Sequence, residues 1–161
     1  MPSWPSPQDY NEAIQNPKLC FHDADLKQGT IECNALGLPK SASGAFASVF
    51  KLTTSDGPWA IRCFLRFRPE QSERYQKISQ FVLFDDLDCT VDFHFIEKGI
   101  LVRGDWYPIV KMKWIYGDTL DLYIHKHFDN AEKMSKLSAD FFDLVMQLEN
   151  GSDRAGAGSW R

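Results

Sequence analysis

Two alternating segments, Ala47–Thr53 and Trp59–Arg66, flank Thr54-Ser55-Asp56-Gly57-Pro58, and this pairing constrains the chain more than any other feature. An Asp-Gly step tolerates positive φ at both central positions of a tight turn, so the segments are expected to pair as a hairpin. A second hairpin is expected from His94–Arg103 and Trp106–Trp114 around Gly104-Asp105. Between the two, Pro69 opens a helix at its first turn, where a missing N–H does no harm. Glu70 and Glu73 near that end favour the helix dipole. Tyr75, Ile78, Phe81 and Val82 supply one apolar face, and Asp85-Asp86-Leu87-Asp88 ends it.

Less is dictated outside this centre. Residues 1–8 form a Pro/Ser-rich arm expected to be mobile. Asp9 is read as the cap of a short helix with Tyr10, Ala13 and Ile14 that stops at Asn16-Pro17. Phe21-His22-Asp23 reads as a loop, Thr30–Cys33 as a short extended piece, and the strand pattern begins at Leu36. After the second hairpin, Gly117–Ile124 reads as a capped short helix. Asn130 then caps a long helix striped by Met134, Leu137, Phe141, Leu144, Val145 and Leu148. From Asn150-Gly151 onward the sequence is polar and rich in Gly and Ala. The expected organisation is an N-terminal arm and short helix over 1–35, a sheet domain over 36–116, two helices over 117–150 and a disordered tail over 151–161. The fold class is α+β: a five-stranded antiparallel sheet with one inserted helix, followed by two helices.

Composition removes several function classes. A net charge of −4 exerts no long-range pull toward nucleic acid or anionic lipid, so neither is expected as a partner. No apolar run approaches the roughly 18 residues needed to span a bilayer. Met1–Pro7 lacks the basic start and apolar core of a secretion signal. Cysteines at 20, 33, 63 and 89 form no Cys-x-x-Cys pair, which fits reduced thiols in a cytoplasmic protein. Asp85, Asp86 and Asp88 lack the glycine turn of a calcium loop, and His125 and His127 stand two apart rather than at the helical ligand spacing.

The residues with chemical content lie at the first hairpin. Small residues surround Gly44-Ala45-Phe46, and Arg62 sits one strand later among apolar neighbours. That is the layout of a loop covering phosphates with a strand-borne countercharge. Blander readings stand beside it: Gly44 permits a tight connection, Arg62 pairs with a nearby acid, and Glu73 is a solvated first-turn acid.

Together these motifs resemble the N-terminal lobe of a protein kinase and the first two helices of its C-terminal lobe, over residues 36–150. The family's Gly-x-Gly-x-Phe-Gly-x-Val loop corresponds to Ala42-Ser43-Gly44-Ala45-Phe46-Ala47-Ser48-Val49, with one glycine of three retained. Its Val-Ala-Ile-Lys strand corresponds to Trp59-Ala60-Ile61-Arg62, where a planar fork replaces a compact ammonium. The resemblance implies that Glu73, or less well Glu70, pairs with Arg62, although strict alignment puts Arg74 there. It makes Met112 the gatekeeper and the backbone of Lys113, Trp114 and Ile115 the adenine contacts. The implied nucleotide site is thus Ala42, Gly44, Phe46, Val49, Ala60, Arg62, Glu73, Met112, Lys113, Trp114 and Ile115. It implies weak ATP binding, with magnesium ligands absent. The long helix runs into Leu148-Glu149-Asn150-Gly151-Ser152-Asp153-Arg154, which carries neither a catalytic base loop nor Asp-Phe-Gly, so no phosphate transfer is expected. The alternative is a non-catalytic interaction module, docking a protein partner or a second copy through Leu137, Phe141, Leu144 and Leu148.

Overall fold

In the computed structural model, which describes residues 4–66, 68–85 and 90–156, six strands form one antiparallel sheet. The strands are β1 (Thr30–Ile31), β2 (Ser41–Ser43), β3 (Ala47–Thr54), β4 (Gly57–Phe64), β5 (Phe93–Val102) and β6 (Asp105–Lys113). Their order is β1-β3-β4-β6-β5, with β2 also paired to β3. The helices are α1 (Pro7–Ala13), α2 (Pro17–Cys20), α3 (Ala24–Lys27), α4 (Gln71–Asp85), α5 (Leu120–His127) and α6 (Ala131–Gly156). The α+β class and the helix inserted between two hairpins are as expected; β1 brings the strand count to six rather than five.

Turn chemistry places the hairpins one residue away from the sequence reading. Thr54 pairs with Gly57, so Ser55 and Asp56 are the central residues and only Gly57, at φ 104°, needs the left-handed region. In the second hairpin Arg103 (φ 53°) and Gly104 (φ 90°) are central, not Gly104-Asp105. Two successive positive φ values match the twist of a two-residue hairpin. Helix α4 begins at Gln71, two residues after Pro69, which leaves Glu70 ahead of it. The residues 86–89 of the expected acidic break lie outside the described ones. Helix α6 continues to Gly156, beyond the Asn150-Gly151 stop signal.

The largest departure is at the N-terminus. Ser6, not Asp9, is the N-cap of α1, and Asp9 at the third helical position returns a bond to the Ser6 amide in a capping box. Within the expected arm Pro5 is buried and Trp4 half-buried, and the Trp4 indole and the Tyr10 hydroxyl both donate to the Phe64 carbonyl, the latter at 2.7 Å. Tyr10, Ile14, Phe21 and Leu26 are fully buried against Phe50, Leu52, Ile61, Cys63, Ile100 and Ile109. Each such apolar side chain contributes roughly 1.5–3 kcal/mol by leaving water. The guanidinium of Arg103 pairs with buried Asp9, fastening α1 to the β5–β6 turn.

Strand alternation divides the sheet into two faces. Phe50, Leu52, Trp59, Ile61, Cys63 and Ile109 share the face covered by α1–α3. Val49, Ala60, Arg62, Phe64, Val110 and Met112 share the other. On that second face Tyr75 of α4 stacks on Phe93 and Phe95 and meets Phe64 edge-on at 5.1 Å.

Contacts group the chain into two units, Met1–Leu83 with Val91–Trp114, and Phe84–Thr90 with Ile115–Arg161. The second contains α5 and α6. There Asn130 Oδ1 accepts from the Lys133 amide at 3.0 Å, as the sequence leads one to expect of a cap.

Candidate functional site

The register places Ala42 opposite Val49, Val49 opposite Arg62 and Arg62 opposite Val110, so these residues form one row across four strands. Ala60 and Met112 form the next row on the same face. The resemblance names Ala42, Val49, Ala60, Arg62 and Met112 as nucleotide contacts, and the fold gathers them on one surface. Phe46 closes the row at the β2–β3 tip, where its carbonyl accepts from the Leu65 amide at 2.9 Å. Its ring is 53% exposed.

Gly44 does not behave as a forced glycine. It has no left-handed φ, and a Cβ added there would meet nothing within 4 Å. A tight turn therefore does not explain it, and the loop is open above the sheet.

Beneath Phe46 lies a cavity of about 510 Å³. Its walls carry Arg62 from β4, Arg66 and Arg68 from the connector, and Arg74 and Tyr75 from α4; Glu70 is the one acid among the lining residues. Four guanidiniums against one carboxylate give the lining a formal charge of +3. The volume falls in the range typical of small-molecule sites, about 300–1,000 Å³. Arg66 and Arg68 stand over the Phe46 ring at 5.9 and 5.6 Å, and Arg62 lies 5.8 Å from the Phe64 ring. Aromatic faces thus hold three of the four cations without neutralising them. Arg62 Nε is buried and has no hydrogen-bond partner among the described residues. A buried donor left unmade costs about 1–3 kcal/mol.

Two assignments implied by the resemblance are corrected. Glu73 does not pair with Arg62: it is exposed, and its carboxylate accepts from Lys77 Nζ at 2.7 Å, one helical turn on. That hydrogen bond and charge hold the Glu73 carboxyl below its ordinary range. Nor do the amides of Lys113 and Trp114 remain for adenine. They donate to the carbonyls of Asp92 and Pro58, each at 3.0 Å, because the sheet continues through them. Ile115 falls in the second unit.

From sequence, Arg74 is named only as the residue at the aligned position of the acid, and Arg66 and Arg68 are given no role. Their signal was present: with Arg62, four arginines fall between residues 62 and 74 of a chain whose net charge is −4. They stand on a strand, a connector and a helix, so no periodicity joins them.

In the second unit, Phe141 and Leu148 of the expected α6 stripe are exposed, at 57% and 40%, and Leu137 and Leu144 are half-buried. Phe142 and Met146 of the same helix are exposed as well. No helix among the described residues is long and apolar enough to cross a membrane.

Compared with protein-family models, curated proteins and solved structures, the chain matches none of them.

Proposed function

We propose that the sheet unit is a protein-kinase-like nucleotide-binding lobe that holds the phosphates of ATP in the arginine cavity. The observation that carries this reading is Arg62, whose buried Nε lacks a partner and whose guanidinium lines a cavity under the Phe46 loop. Val49, Ala60 and Met112 lie on the same face of the sheet as Arg62, where the resemblance would put the base. The helix inserted between β4 and β5 also supports it. Guanidiniums meet phosphate oxygens through paired, charge-assisted hydrogen bonds.

A thermal melt with ATP, run once in EDTA and once in excess magnesium, tests it. At a hundred times the dissociation constant, a ligand specific to the folded form adds about 2.7 kcal/mol. The melting temperature should rise, and Arg62→Ala should remove the rise. An unchanged melt at millimolar nucleotide would overturn the reading.

A second reading, a protein-interaction module that self-associates or docks a partner, is favoured by the exposure of Phe141, Phe142 and Leu148 on α6. A monomeric profile in sedimentation together with no binding of an apolar dye would remove it.

A further inference from the structure

We infer that the arginine cavity takes a polyphosphate anion free of divalent metal, the guanidiniums themselves neutralising the charge that a metal ion otherwise would. The inference deepens the nucleotide reading and rests on its placement of the phosphates. Arg62, Arg66, Arg68 and Arg74 line one cavity with Glu70 as the single acid. Among the described residues, none of the four has a carboxylate within ion-pair distance. A divalent cation brought in with the phosphates would meet that net positive lining and lose attraction to it. A bare di- or triphosphate, with its higher negative charge, gains from every wall. Geometry agrees with charge. The cations arrive from three directions, from a strand, a connector and a helix, which suits an extended anion with several oxygens better than a single carboxylate. Phe46 holds two of the guanidiniums at the mouth, and the unpartnered Nε of Arg62 waits at the sheet.

The phosphates can come from a nucleotide or from inorganic polyphosphate, and calorimetric titration of the full chain separates the sources. ATP and inorganic triphosphate are each titrated in EDTA and again in excess magnesium. Both should bind in EDTA, and magnesium should weaken both. Arg68→Ala and Arg74→Ala, exposed positions whose folding is checked by circular dichroism, should each weaken binding in EDTA about tenfold, the loss of one charge-assisted contact. If triphosphate binds in EDTA as tightly as ATP, the inference stands and the nucleotide reading fails. If ATP binds only with magnesium, the nucleotide reading stands and the inference is overturned. Binding in EDTA that ignores both arginine variants also overturns it, and binding of neither ligand overturns both.

Discussion

Glu73 Oε1 accepts from Lys77 Nζ at 2.7 Å on the exposed side of α4, so the acid assigned to Arg62 by resemblance is engaged along its own helix. Arg62 shares its cavity with Arg74 instead. Two cations thus stand where the resemblance expects a cation and an acid, with Glu70 the one carboxylate in the lining.

The two acids near the site should therefore respond differently. Glu73→Gln is expected to leave ATP affinity unchanged. Glu70→Gln, which removes the acid from the cavity lining, is expected to tighten ATP binding a few-fold. Both are read by titration calorimetry. A tenfold loss in Glu73→Gln would restore the Arg62–Glu73 pair and contradict the site as drawn.

Arg62 should cost stability in the empty protein. Its buried Nε has no partner and three further guanidiniums line the same cavity, so Arg62→Met is expected to stabilise the unliganded chain by about 1 kcal/mol. The same variant should lose the ATP-dependent rise in melting temperature. Urea unfolding without ligand provides the check, and a destabilised variant would mean that Arg62 is a structural residue.

The N-terminal segment should be indispensable to the sheet. Phe21 is fully buried in the core, and Phe21→Ala is expected to cost about 3–5 kcal/mol. Tyr10→Phe should cost nearer 1 kcal/mol, because the Trp4 indole still donates to the Phe64 carbonyl. Near-wild-type urea midpoints for Phe21→Ala would show that residues 4–28 are dispensable to the core.

Acid should weaken the α1 attachment. The Ser6 amide, the Ser6 hydroxyl and Arg103 hold the Asp9 carboxyl below its ordinary value of 3.8. A depressed native pKa contributes stability above the ordinary value, and that stability is lost as pH falls through the native one. Asp9→Asn should accordingly lower the melting temperature at neutral pH, and the gap should close below pH 3.8. A gap that persists in acid would assign the effect to packing rather than charge.

Burial also sorts the thiols. It pushes Cys20 up from 9.0 to about 12 and raises Cys63 further, whereas Cys33 is exposed. The neutral thiols therefore contribute stability below pH 9.0, which for Cys20 is lost as pH climbs through about 12. Iodoacetamide at about pH 8 should label Cys33 in the native protein and spare Cys20 and Cys63 until it is unfolded. Native labelling of Cys20 would contradict the packing of α2 on the sheet.

Period-two alternation made β3, β4, β5 and β6 readable, and Tyr75 with its helical neighbours made α4 readable. The turn positions shifted by one residue because an Asp-Gly or Gly-Asp step marks a turn without fixing which residues are central. The N-terminal contribution was hidden for a different reason. Helices of four residues such as α2 and α3 are too short to show a period, so nothing in the pattern marks Phe21 or Leu26 as core. The capping box at Ser6 and Asp9 was in plain view, with the cap read three residues late. Alternation puts Ala60 and Arg62 on one face of β4, but Val49 and Met112 join them only through the cross-strand register. The arginine cluster could not, because its members meet only once the connector folds back toward α4.

The central question is where on the sheet a nucleotide sits. Photolabelling with an azido-adenine ATP analogue, followed by peptide mapping, addresses that directly. Label competed by ATP should fall on peptides containing Val49, Ala60 or Met112, and should disappear in Arg62→Ala. Label confined to α5–α6 peptides, or indifferent to competing ATP, would contradict nucleotide binding on this face of the sheet.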